Sequence, residues 1–319
     1  MAFGVQCVIS VTLLALLFRS LDVPALRRLF ATLPVWFYLF SLAVIVSGQL
    51  LYAWRWRQLL RASGADVPFL TVTRQYFISI FLNNFFPSTV GGDMAKVYYL
   101  GRQHGYRPVA ASIVVDRLLN IGFLALLAAV LYWLAPDPLP RFAAARVVVT
   151  LCAAGSAAVV LLLARGTGGL PERLAPFGAT VVGLAGRLQQ FRLDMAAVVN
   201  NPRVAMQSAG VVTAYFTLLT SVYVVFAEVN VGVHPPFFVL MTAVTTAALL
   251  SNVPVSVNGL GIREQLHALL LQPLGIPREA AVAISLLLFA LALLSSLVGL
   301  VCWLRMPSLP PNVATERGA

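Results

Sequence analysis

The apolar residues of this chain neither alternate nor keep to one helical face; they run in unbroken blocks. Pro34 to Ala53, Val109 to Leu134, Val147 to Ala164, Val204 to Ala227 and Ala280 to Leu304 each come near the roughly 20 residues a helix needs to cross the hydrocarbon core of a bilayer. The first block, Met1 to Phe18, lacks a basic leader and an A-x-A-like cleavage site and runs into Arg19. It therefore reads as a spanning helix rather than a signal peptide; it is short for a span, which leaves open a start further upstream. A short loop with Arg27 and Arg28 follows, then a span to about Ala53 and an arginine cluster of Arg55, Arg57 and Arg61. Aromatic and basic residues mix over Tyr52 to Trp56, as they do at membrane–water boundaries.

Two apolar segments are interrupted. Pro68 to Phe86 ends in Asn83-Asn84-Phe85-Phe86-Pro87-Ser88-Thr89-Val90-Gly91-Gly92-Asp93, where a second helical stretch begins. Pro236 to Ser251 breaks at Asn252-Val253-Pro254-Val255-Ser256-Val257-Asn258-Gly259-Leu260-Gly261 and resumes as a helix through Arg263-Glu264 to about Leu274. Between them, spans are expected at 108–134 and 145–164. Leu184, Leu188, Phe191 and Met195 then recur at helical steps with Arg187 and Arg192 between, predicting an amphipathic helix over about 170–200 on the cytoplasmic surface. Further spans follow at 204–229 and 278–304. The pattern predicts an all-α polytopic membrane protein with about six full spanning helices and two broken segments. It forms a single membrane domain over 1–319, with a flexible tail at 306–319.

The two halves repeat one order of parts. Pro34 matches Pro202, Pro68 matches Pro235 or Pro236, Pro87 matches Pro254 and Pro108 matches Pro277, all at nearly one spacing; Asn84 and Gly91 match Asn252 and Gly259 in the same way. This gives repeat one at about 34–134 and repeat two at about 202–304, with a helix in 135–164 and the surface helix as linker. If the broken segments return to the side they entered from, the repeats are inverted; if they cross fully, the repeats are parallel. Loop charges favour neither. We read them as re-entrant and the repeats as inverted, because paired Pro/Gly-interrupted segments in two halves are the usual pointer to a transporter's midplane site.

Composition narrows the function. The chain is 60% hydrophobic and 10% charged, against about 45–50% and about 25% in soluble domains. Its net charge of +11 comes from 22 basic residues of which all but Lys96 are arginine. In a polytopic protein this reflects cytoplasmic loops facing anionic headgroups, not a nucleic-acid partner. Cys7, Cys152 and Cys302 lie within apolar blocks and read as small hydrophobes. His104, His234 and His267 are scattered, and the chain has no H-E-x-x-H, C-x-x-C, Walker loop or G-x-S-x-G. Neither a metal nor another cofactor is expected, and no recognised catalytic motif is present.

Candidate residues cluster at the breaks, since interrupted backbone survives in lipid only beside protein or a wet cavity. Asn84, Gly91, Gly92 and Asp93 look like a loop opening a helix whose free N–H groups suit a phosphate or carboxylate; Asp93 equally fits a plain N-cap. Lys96 stands one turn on and reads either as part of the site or as a snorkelling surface lysine. Asn258, Gly259 and Gly261 precede Arg263 and Glu264. Glu264 suits the helix dipole on structural grounds alone, whereas Arg263 opposes it and calls for an anion or partner carboxylate. Asp116 and Arg117, inside a span, form either a structural ion pair or a forked phosphate donor with its orienting carboxylate, which is also able to meet an amine. Arg74 is a weaker candidate of the same kind.

On Asn84 to Asp93, on Ala111-Ser112-Ile113-Val114-Val115-Asp116-Arg117-Leu118 and on Pro254 to Glu264, the chain resembles the transmembrane domain of bacterial lysylphosphatidylglycerol synthases. This flippase-like domain also occurs free-standing and fused to some archaeal glycosyltransferases. The resemblance covers nearly the whole sequence. It implies a multi-pass protein of the bacterial inner membrane that moves or handles a polar phospholipid, with weight on Asp93, Asp116, Arg117, Arg263 and Glu264. The resemblance does not take in the soluble aminoacyl-transfer domain of the full-length synthases, so the chain is not expected to make lysyl lipid itself. Three expectations remain: a lipid transporter whose broken segments share a polar cleft; a non-transporting subunit that presents a polyprenyl-phosphate or hopanoid-type lipid to a separate lipid-modifying enzyme or glycosyltransferase; and, more weakly, an intramembrane enzyme. All require Arg117 and Arg263 to face one pocket.

Overall fold

The computed structural model describes residues 23–85, 91–134, 143–165, 179–252 and 259–306, together with positions 12 and 19. Among these, every regular element is helical: α1 (Val23–Thr32), α2 (Val35–Ala62), α3 (Phe69–Phe85), α4 (Gly91–His104), α5 (Tyr106–Leu134), α6 (Ala143–Arg165), α7 (Ala179–Val199), α8 (Pro202–Phe226, continued by a π turn at Ala227–Val231), α9 (Phe237–Ser251), α10 (Ile262–Leu271, continued by a 3-10 turn at Gln272–Leu274) and α11 (Arg278–Leu304).

Five described helices are long and apolar enough to cross a membrane: α2, α5, α6, α8 with its π turn, and α11. The sixth expected span, Met1 to Phe18, lies outside the described residues apart from position 12, as do the tail beyond Met306 and the start of the surface-helix segment. The interrupted segments are short. Helices α3 and α9 have 17 and 15 residues, a rise of about 22–26 Å against a hydrocarbon core of about 30 Å.

Two sequence expectations are corrected. The stretch with Arg27 and Arg28 is not a loop but helix α1, with both arginines exposed and Leu29 and Phe30 packed on the main core. Helix α2 does not stop near Ala53. It continues to Ala62 because Arg55 finds partners inside the protein and needs no exit to water. Helix α7 lies in the segment expected to hold the surface helix and lays Met195 and Val198 into a core shared with α2 and α5. The Arg107 to Asp194 ion pair, 2.9 Å, fastens it to the start of α5.

Contacts between the first four and the last four of the repeated helices come in matched pairs. Helix α3 packs on α11 as α9 packs on α5; α2 touches α11 as α8 touches α5; and α2 packs directly on α8. Exchanging α2–α5 for α8–α11 therefore maps this set of contacts onto itself. Small residues permit the closest crossings, as expected where helices associate by close packing in lipid. A Cβ on Gly299 of α11 would lie 2.1 Å from the Phe77 carbonyl oxygen of α3, and one on Gly48 of α2 would lie 2.3 Å from the Tyr215 ring of α8. Gly105 and Gly275, both at positive φ, turn the chain into α5 and α11.

Candidate functional site

A cavity of about 490 Å³ lies among these helices, within the 300–1,000 Å³ typical of ligand sites. Its wall takes Gln49, Tyr52 and Arg55 from α2, Tyr76 and Asn83 from α3, Asp93 and Lys96 from α4, and Asp116, Arg117 and Asn120 from α5. Tyr215 and Tyr223 of α8, Asn252 after α9, Arg263 and His267 of α10, and Ser285 and Phe289 of α11 complete it. Arg117 and Arg263 thus face one space.

In the first half, the start of α4 is pressed onto α3. A Cβ on Gly92 would lie 2.2 Å from the Ser79 carbonyl oxygen, so only glycine fits, and the Gly92 N–H donates to Asn83 Oδ1 at 2.9 Å. This aims Asp93, in the first turn of α4, at the charges around it. Its Oδ2 accepts from Arg117 Nε at 2.6 Å and its Oδ1 from Lys96 Nζ at 3.4 Å. Asp93 is therefore the meeting point of two cations, not a simple N-cap. Lys96 is 7% exposed and does not snorkel: its ammonium sits 4.6 Å and 4.8 Å from the ring centres of Trp56 and Tyr76, where ring quadrupoles favour a cation.

Asp116 and Arg117 are held by different partners, because consecutive helical residues point about 100° apart. Asp116 Oδ1 accepts from Arg55 Nε at 3.0 Å and from Nη2 at 2.8 Å, while Arg55 Nη1 donates to Asn120 Oδ1 at 3.1 Å. Arg55 is 2% exposed and lies over the Tyr52 ring.

In the second half, Gly261 turns the chain into α10 at φ +84°, a region where a side chain is strained. Its N–H donates to Glu264 Oε2 at 2.7 Å. Glu264 is fully buried; its Oε1 accepts from Arg263 Nε at 3.1 Å and Ser285 Oγ at 3.2 Å. That carboxylate offsets the unfavourable position of a cation at a helix N-terminus. The Arg263 guanidinium, 22% exposed, lies over Phe289 with its central carbon 4.7 Å from the ring centre. His267 places Nδ1 2.7 Å from the Arg263 carbonyl oxygen and Nε2 2.7 Å from the Tyr223 hydroxyl. A carbonyl only accepts, so Nδ1 donates, and the neutral ring takes the Tyr223 proton at Nε2.

A model of the lysylphosphatidylglycerol synthase TM region matches residues 4–299. The chain belongs to that family. A UPF0104 membrane protein of Pyrococcus horikoshii is 29% identical over 118 residues, 36% of this chain and 35% of that protein, so the match spans about a third of that relative. No solved structure matches the chain. The family and the apolar helices together make this a multi-pass membrane protein.

Of the residues expected at the site, the structure brings Asp93, Lys96, Asp116, Arg117 and Arg263 to one cavity wall. Glu264 stands directly behind Arg263. Gly91 and Gly92 begin α4, and Gly259 and Gly261 turn the chain at positive φ ahead of α10. Asn84 is half-buried on α3, but its neighbour Asn83 reaches the cavity; Arg74 is exposed and off the wall; Asn258 lies outside the described residues. Sequence reasoning overlooked Arg55, Tyr76, Asn83, Asn120 and Tyr223. A signal for α2 was present: Gln49, Tyr52 and Arg55 recur every three residues within an apolar helix, a polar stripe on one face.

Proposed function

We propose that this chain is a flippase-like transporter of the bacterial inner membrane. A polar phospholipid headgroup occupies the cavity while its acyl chains stay in the bilayer. The observation carrying this reading is that cations from both halves, Arg117 and Arg263, line one cavity, each steadied by a carboxylate. Cations there lower the cost of drawing a phosphate through the hydrocarbon region. The matched contacts and matched breaks support two repeats, which we take as inverted with re-entrant segments α3–α4 and α9–α10, an arrangement in which the halves rock about a fixed site. We assign the chain no reaction of its own.

Reconstitution tests this. Purified protein in liposomes should accelerate transbilayer movement of a labelled phospholipid. Arg117→Ala or Arg263→Ala should slow it roughly 10- to 100-fold, the scale of losing hydrogen bonds to a charged group, with the protein still inserted. Lipid binding without movement would instead make the chain a presenting subunit for a separate enzyme.

A further inference from the structure

We infer that Lys96 exchanges a proton with the cavity, its nitrogen alternating between ammonium and amine, and that this exchange is the step through which a proton gradient acts on transport. The exchange stands on the side chains around Lys96 alone; the coupling rests on the reading that the two halves move a lipid.

The acidic and basic groups in and directly behind the wall fall into three pairs and one remainder. Asp116 is held by Arg55, Asp93 by Arg117 and Glu264 by Arg263. Lys96 is the fourth cation and has no carboxylate of its own: it reaches Asp93 Oδ1 at 3.4 Å, while Arg117 Nε reaches Oδ2 of the same group at 2.6 Å. An unmatched charge inside a membrane protein is costly. Loss of the Lys96 proton removes it and leaves each carboxylate with its arginine. Arginine keeps its proton at any pH a protein meets, whereas a lysine taken out of water is able to lose it.

The groups that surround Lys96 serve both forms. Helix α4 packs on α3 and α5, and the charges acting on the ammonium are Asp93 of its own helix and Asp116 and Arg117 of α5; α2 and α3 present the rings of Trp56 and Tyr76. The ring faces and Asp93 support a cation. An ammonium, however, carries three N–H donors, and among the described residues it makes only the long bond to Asp93. An amine asks for fewer partners in the same slot.

The second half shows the contrast. The spacing that pairs Asn84 with Asn252 also pairs Lys96 with Glu264, and there the charge is locked by the Gly261 N–H, Arg263 and Ser285. The choice of residue agrees: of 22 basic residues only this one is lysine, placed where the ability to become neutral separates it from arginine. In the step itself one N–H bond of the ammonium breaks, the electron pair stays on nitrogen and the proton passes to water in the cavity; uptake is the reverse. Lys96 and Asp93 ride on α4 and Arg117 on α5, so a shift of α4 against α5 changes how Asp93 is shared and with it the protonation of Lys96.

The single lysine makes the first test direct. Lysine labelled isotopically at the side-chain nitrogen gives one side-chain signal, and solid-state NMR of the full chain in liposomes reads its charge. That signal should pass from ammonium to amine within the pH range over which the protein stays folded; a signal fixed in one form across that range overturns the inference. The second test uses liposomes of phosphatidylethanolamine and phosphatidylglycerol with an acyl-labelled phosphatidylglycerol, whose charge is constant around neutral pH, under a gradient of about one pH unit with the membrane potential clamped. One proton moved per lipid predicts a steady leaflet ratio approaching about tenfold. Lys96→Met, which keeps the length without the proton, should return the ratio to even; Lys96→Gln repeats this arm if Lys96→Met does not insert, and the parent's ratio decides alone if neither variant moves lipid. An even ratio reached by catalysed movement in the parent, or a tenfold ratio that survives in the variants, overturns the coupling. A titrating Lys96 in a chain that moves no lipid removes the transport reading and leaves the proton exchange standing.

Discussion

Arg55 and Asp116 hold each other inside the bundle, and among the described residues no other cation lies within ion-pair reach of Asp116. Removing one member of a buried pair leaves an uncompensated charge, at about 3–5 kcal/mol. Arg55→Ala should therefore lower the melting temperature of the detergent-solubilised protein sharply, by more than Arg117→Ala, whose side chain is half exposed. Equal melting of the two variants would show that the pair is not structural. This pairing could not be read from the sequence. Asp116 and Arg117 stood out as charges inside an apolar run, but a side chain's partner depends on which distant helix packs against it. Arg55 lies 61 residues away from Asp116 in the chain and looked like part of a boundary cluster. Asp93, Arg263 and Glu264 were legible because each sits in the first turn after a glycine-rich break, where the dipole argument needs no tertiary information.

At the level of elements, the positions of the breaks follow from proline and glycine chemistry, so both interrupted segments were predictable. The helix at Val23–Thr32 was not, because two adjacent arginines in a short segment resemble a loop until Leu29 and Phe30 find a core to cover. How closely helices approach was likewise invisible. Gly299→Ala should destabilise the protein by about 1–3 kcal/mol through the clash with the Phe77 backbone. Gly155→Ala, with nothing within 4 Å of the added methyl, should be neutral or slightly stabilising; similar melting of both would refute the close α3–α11 contact. Tyr223→Phe removes the hydroxyl that ties α8 to α10 through His267. It should cost about 0.5–1.5 kcal/mol and weaken transport by loosening the helix that carries Arg263, with lipid affinity falling alongside; unchanged transport and stability would make the contact incidental.

Across the whole molecule, proline spacing pointed to two similar halves, and the contacts of α2–α5 and α8–α11 exchange accordingly. What sequence spacing does not carry is the relative placement of those halves, which decides whether two sets of charges make two sites or one. The structure gives one cavity lined by both Arg117 and Arg263. Residues that serve a single ligand act as a unit and lose function non-additively, whereas independent sites lose it multiplicatively. The most direct test is a double-mutant cycle on lipid translocation in proteoliposomes, comparing Arg117→Ala, Arg263→Ala and the double variant. A shared site predicts that the double variant is little slower than the worse single one. A double variant slowed by the product of the two single effects would place the arginines in separate sites and contradict the account.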